Sequence, residues 1–139
     1  MKFPDWLAVL GDRSYRDKNC PKESIEQITF INRLRTQYPD TLGRVVVHVK
    51  NEGKRTQGQV MFDKASGMTT GASDIIIPGA PTLVIEIKRR DHTMSRWQDG
   101  QIEYLDAAQR NGAMVFVALG ADAAMEAVKC YITKTTGNG

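Results

Sequence analysis

The chain has 139 residues, of which 41% are hydrophobic and 25% charged, with a formal net charge of +3. That length suits one compact domain, and the composition is that of an ordinary soluble globular protein. No run of about 18 apolar residues exists to cross a bilayer. The opening MKFPDWLAVLGDR lacks the apolar core and small-residue site of a secretory leader. Cys20 and Cys130 lack CxxC or metal spacing and are expected as free thiols in a reducing cytoplasm. The mildly basic balance, with a pI of about 8.9, permits a nucleic-acid partner without requiring one.

Taken in order, residues 1–22 show no sustained period and contain Pro4, Gly11 and Pro21. They are expected to form a short helical turn and an arm. KESIEQITFINRLRTQ, 22–37, predicts a helix: Ile25, Ile28, Ile31 and Leu34 recur at helical spacing, and Pro39 follows. RVVVHVK, 44–50, is short and β-branched and predicts a strand. NEGKRTQG is a polar turn region, QVMFDK a strand or an irregular crossing, and ASGMTTGAS a glycine-punctuated loop. DIII and TLVIEIK are expected as strands joined by the turn PGAP. A helix over 97–111 stops at Asn111 and Gly112. AMVFVAL then reads as a buried strand and ADAAMEAVKCYI as a helix, before a tail, 134–139, expected to be disordered. This order indicates an α/β sandwich around a small mixed sheet.

The unusual feature is charge on an apolar strand. In TLVIEIK side chains alternate, so Leu83, Ile85 and Ile87 face one way and Val84, Glu86 and Lys88 the other. Asp74 begins the preceding strand, and a hairpin would bring it beside them. Burying such charges unpaired costs several kcal/mol or shifts their pKa values. A divalent cation resolves the repulsion between two acids, since hard oxygen ligands suit Mg²⁺ or Mn²⁺. A metal to activate water, with a cation to stabilise phosphate oxygens, is the equipment of phosphodiester hydrolysis. The plainer reading is a Glu86–Lys88 surface pair with Asp74 as a turn residue.

G-A-S-D followed by E-I-K resembles the PD-(D/E)xK nuclease signature, and more narrowly the VRR-NUC family of small nucleases. HVKNEGKR (48–55), GMTTGASD (67–74) and KESIEQ (22–27) resemble further stretches of that family. Gln101, Tyr104, Leu105 and Gly112 match a family helix that starts with glutamine and ends at glycine. The match spans about residues 23–130. One departure is Ser73, where many relatives carry proline.

The resemblance implies a restriction-endonuclease-like core in a nuclease domain over 23–133. Asp74, Glu86 and the Ile87 carbonyl would bind Mg²⁺ or Mn²⁺, and Lys88 would orient or deprotonate the attacking water. Gln101 would point into the site from its helix N-terminus. The helical acid is Glu23 or Glu26. Glu23 lies at the edge of the apolar stripe, Glu26 further toward solvent, and Gln27 four residues on favours Glu23. Lys50, Lys54, Arg55, Arg89 and Arg90 would bind phosphates, which positions DNA without reading its sequence. His48 is a satisfied strand histidine or a DNA-contacting one, and His92 is expected to be exposed. Trp97 caps the core or stacks on an exposed base.

The function implied is a metal-dependent, structure-selective DNA endonuclease acting on branches, flaps or junctions, with Holliday-junction resolution by a homodimer as one form. A nuclease-like module that binds branched DNA without cutting is the alternative. A third reading makes Asp74, Glu86 and Lys88 a structural ion-pair cluster.

Overall fold

The computed structural model describes residues 1–49, 56–67 and 69–136. Strand β1 (Ala8–Leu10) precedes helix α1 (Glu23–Gln37), the one-turn helix α2 (Leu42–Val45), strand β2 (Val47–His48) and helix α3 (Gln57–Ala65). Strands β3 (Ile75–Ile77) and β4 (Leu83–Lys88) form a hairpin. Helix α4 (Gln101–Arg110), strand β5 (Met114–Leu119) and helix α5 (Ala121–Thr136) follow. The strands make one sheet in the order β1-β5-β4-β3-β2. β5 runs parallel to β1 and β4, while β3 is antiparallel to β4 and β2. The small mixed sheet flanked by helices is therefore the architecture that forms.

β4 lies centrally, and all six of its residues are buried. Its alternation divides the core. Leu83, Ile85 and Ile87 pack with Phe30 and Leu34 of α1 and with Ala124 and Val128 of α5. Val84 joins Leu7, Val115, Val117, Leu119 and Leu105 on the opposite face, beneath α4. Each such aliphatic burial contributes roughly 1.5–3 kcal/mol. Glu86 and Lys88 share the face of Val84, so the strand's polar end lies on the α4 side.

Several elements depart from expectation. The first 22 residues supply β1, which pairs Ala8 with Phe116 and Leu10 with Ala118. The buried Leu7 and the unpaired edge of β5 outweigh the lack of pattern there. Among the described residues of the expected strand 44–50, Val47 and His48 form the strand. Residues 44 and 45 belong to α2, where Gly43 lets the backbone turn against α1: a Cβ there would meet the Tyr38 carbonyl oxygen at 2.6 Å. QVMFDK lies in helix α3, whose start is fixed by Thr56 Oγ1 accepting from the Gln59 amide at 3.1 Å. The helix expected from residue 97 begins at Gln101, after Gly100 with φ +84. Residues 134–136 extend α5, and 137–139 lie outside the described residues.

On α1 the buried face is Glu26, Phe30, Ile31 and Leu34, while Ile25 and Ile28 are 51% and 55% exposed. The packed stripe follows i, i+4 from Glu26, and a buried acid broke the apolar pattern. Glu26 does not face solvent. Its Oε2 accepts from the Ala121 amide at 3.1 Å, at the positive end of α5. Gly120 makes this approach possible, because a Cβ there would sit 2.5 Å from Glu26 Oε2.

Candidate active site

The hairpin register pairs Ile75 with Ile85, which places Asp74 one step on, opposite Glu86. The Asp74 amide donates to Glu86 Oε2 at 3.4 Å, and the Ile87 amide donates to Asp74 Oδ2 at 3.1 Å. The two carboxylates are thus neighbours fixed by main chain, and the Ile87 backbone lies beside them. Asp74 is 5% exposed and Glu86 fully buried.

Gln101, the first residue of α4, joins this pair to the lysine. Its Nε2 donates to Glu86 Oε1 at 2.9 Å, and its Oε1 accepts from Lys88 Nζ at 2.9 Å and from the Gln98 amide at 2.8 Å. Lys88 is fully buried, and its Nζ also donates to the Arg96 carbonyl at 2.9 Å. That ammonium stands 3.9 Å from Glu86 Oε1 and 3.9 Å from Glu23 Oε1, and 5.2 Å from the centroid of the Trp97 ring.

Backbone geometry explains the glycines around the site. Gly71, in the loop before Asp74, has φ +76, and a Cβ there would meet the Gly100 carbonyl carbon at 2.3 Å. The acid-bearing loop therefore lies directly on the turn that starts α4, which brings Asp74 and Gln101 together.

Burial raises the Glu86 pKa well above its usual value, and the adjacent Asp74 charge raises it further, while Lys88 acts in the opposite direction. A buried acid pair repelled in this way, with a hydrogen-bonded lysine beside it, fits a hard divalent cation. Asp74 and Glu86 would supply carboxylate oxygens, with the Ile87 carbonyl as a main-chain donor. Among the described residues no three His, Cys, Asp or Glu side chains converge as a metal-holding group, so the side-chain donors close to one another are these two.

Asp74 and Gln101 open onto a cleft of about 1010 Å³, whose walls include Glu23, Gln27, His48, Val60, Lys64 and Arg96. His48 is exposed on its strand, and its Nε2 lies 3.0 Å from Gln27 Oε1. Of the two helical acids, Glu23 faces the site and Glu26 serves α5. Of the cations expected to meet phosphates, two lie among the described residues. Arg89 donates to the carbonyls of Pro21, Lys18 and Cys20, and so fastens the segment leading into α1. Arg90 donates to Asp122 Oδ2 at 2.8 Å and lies over the Tyr15 ring. Lys50, Lys54 and Arg55 lie outside the described residues. His92 is buried rather than exposed. Its Nε2 lies 3.1 Å from the Arg13 carbonyl and its ring meets Phe3 edge-on, and burial lowers its pKa. The sequence reading passed over Ser95, Arg96 and Lys64, which carry no motif and reach the site only through the fold.

A solved structure described as a "VRR_NUC domain protein" superposes with a TM-score of 0.67, covering 81% of this chain and 89% of its own at 24% identity. The chain has the VRR-NUC fold. No family model matches the sequence, and no curated protein matches it either. Within the VRR-NUC fold of this chain, the carboxylates on the β3–β4 hairpin, Lys88 on β4 and Gln101 on α4 gather at the end of the sheet from which β4 and β5 exit. No described helix is long and apolar enough to cross a membrane.

Proposed function

We propose that the chain is a divalent-metal-dependent endonuclease that hydrolyses phosphodiester bonds in DNA. The observation that carries this reading is Lys88: a fully buried ammonium hydrogen-bonded to Gln101 and 3.9 Å from the carboxylates of Glu86 and Glu23, directly behind an open cleft that Asp74, Gln101 and Glu23 line. A structural ion pair has no need of a 1010 Å³ cleft ending on its acid. Mg²⁺ or Mn²⁺, when bound, would lower the pKa of water and neutralise charge on the phosphate. Asp74 and Glu86 would hold the ion, with Ile87 and, directly or through water, Glu23 completing its surroundings. Lys88 would orient the attacking water and stabilise charge developing on the phosphate oxygens. Gln101 fixes both the lysine and Glu86. The cations Lys64 and Arg96 on the cleft walls, with His48, would meet the flanking phosphates.

Such contacts select shape rather than sequence, so branched, flapped or junction DNA is the proposed substrate, with a two-fold dimer placing two sites on symmetric strands. The test is a cleavage assay on linear, flapped and four-way DNA with Mg²⁺, Mn²⁺ or chelator. Metal-dependent cutting that favours a branched substrate supports the proposal. Tight binding to branched DNA without cutting in either metal overturns it in favour of a non-cutting module.

A further inference from the structure

Three consecutive residues that belong to no helix or strand all touch the polar cluster, the first at Glu23 and the next two at Lys88. Ser95 Oγ donates to Glu23 Oε2 at 2.7 Å and accepts from the Arg89 amide at 3.0 Å. The Arg96 carbonyl accepts from Lys88 Nζ at 2.9 Å. The Trp97 ring roofs the same ammonium at 5.2 Å. We propose that Ser95, Arg96 and Trp97 are a positioning strap, setting the distance between the acid of α1 and the lysine of β4. This rests on the reading of the cluster as a hydrolytic centre.

Glu23 and Lys88 come from elements 65 positions apart, and their direct contact is a loose 3.9 Å. A contact that long is set by whatever holds each partner, and the strap holds both. It is itself anchored at each end. Before it, a 3₁₀ turn (His92–Met94) is capped by Asp91, whose Oδ1 accepts from the Thr93 amide and whose Oδ2 accepts from the Asp17 amide at 2.9 Å. At its far end, Trp97 Nε1 donates to the Lys2 carbonyl at 2.8 Å, and the indole meets Phe3 edge-on. The indole also caps the cluster of Val84, Leu105 and Val117, so the irregular backbone is seated on the core while it holds the polar groups.

Glu23 is partly exposed, at 32% for its side chain, so without Ser95 its carboxylate would be free to swing into the cleft. Lys88 would keep Gln101 and the Arg96 carbonyl after loss of the indole, but its open side would admit water. Displacements of about 1 Å in such groups reduce turnover by up to about a hundredfold.

The test uses the full chain with Ser95→Ala, Ser95→Thr, Trp97→Leu and Trp97→Phe. On a DNA that the unaltered protein cuts, Ser95→Ala and Trp97→Leu are expected to lower kcat about tenfold or more, with KM and DNA affinity in Ca²⁺ changed less than about threefold. Threonine and phenylalanine, which keep the hydroxyl and the ring face, should restore most of kcat. A second readout is independent of cutting: the rate of reductive methylation of Lys88, followed by peptide mass, should rise in Trp97→Leu and stay slow in Trp97→Phe. Native kcat in both Ser95→Ala and Trp97→Leu, or equal losses in the conservative pair, overturns the strap. If the unaltered chain cuts no DNA, the endonuclease reading fails, and the methylation rates alone decide whether Trp97 shields the lysine.

Discussion

The floor of the cleft and its α3 wall are built on opposite principles. At the floor and directly behind it, Asp74, Glu86, Lys88 and Gln101 are all buried, and each is held by hydrogen bonds to main chain or to one another. Helix α3 has no buried residue at all, and it presents Met61 and Phe62 to solvent at 69% and 71% exposure. Chemistry that depends on charge placement needs groups fixed before the substrate arrives, because reorganising dipoles during reaction is costly. A wall that meets a bulky substrate has the reverse requirement, and weakly packed elements are where local opening costs least. Under the proposed function, this contrast would give chemistry to the floor and accommodation to the wall.

The sharpest way to break this contrast is at Lys88. Lys88→Met keeps the buried stem and removes the charge, and it should lower DNA cutting by about a thousandfold or more. The fold should survive, because Glu86 is already inclined to take up a proton. Cutting within tenfold of native, measured on purified folded protein, would remove the lysine from the chemistry. Next in size is Gly71→Ala, which places a Cβ 2.3 Å from Gly100 at a positive φ. A loss of about 2–3 kcal/mol in a urea titration is expected, together with weaker cutting as the Asp74 loop lifts from α4.

A third effect is electrostatic. With its folded pKa raised, Glu86 contributes stability that is fully present below the unfolded value of about 4.5 and lost as pH rises through the folded pKa. Glu86→Gln should therefore be more stable than the unaltered chain at pH 8 in chelator, by about 1–2 kcal/mol. The difference should vanish near pH 4.5, and Mn²⁺ should narrow it at pH 8. A pH-independent difference would mean that Glu86 is not strained by its charge. Smallest of all, Met61→Ser with Phe62→Ser should change stability by less than about 0.5 kcal/mol, since neither side chain is packed. A loss of several kcal/mol there would show that the wall is core after all.

What the sequence disclosed follows the same division. β4 and β5 are legible because their apolar runs are continuous, and the acid on β4 stands out against them. The partnership of Asp74 with Glu86 follows from the hairpin turn and side-chain alternation alone. α3 misleads because QVMFDK carries β-formers and no helical period, and its start depends on a Thr56 cap rather than on a buried face. Glu23 is preferred over Glu26 from the sequence, and the structure agrees in placing Glu23 beside Lys88, but the burial of Glu26 is not legible in the sequence. Helical spacing does not reveal that the α5 N-terminus, 95 residues later, claims one of them. Ser95 is illegible as a site component because its partner, the Glu23 carboxylate, lies 72 residues away in the chain, and Trp97, legible as a core cap, gives no sign in the sequence that its ring also covers Lys88. His92 was misplaced for a similar reason, since the chain that covers it comes from the first 13 residues.

Strand β1 has a practical consequence. It closes the β5 side of the sheet with three residues, Ala8 to Leu10, and Lys2 in the same segment supports the indole above Lys88. Trimming the first ten residues would leave Phe116 to Ala118 with open peptide groups, a template onto which other chains could add strands. The shortened protein would be expected to precipitate on concentration, and a purification tag is better placed at the far end of the chain.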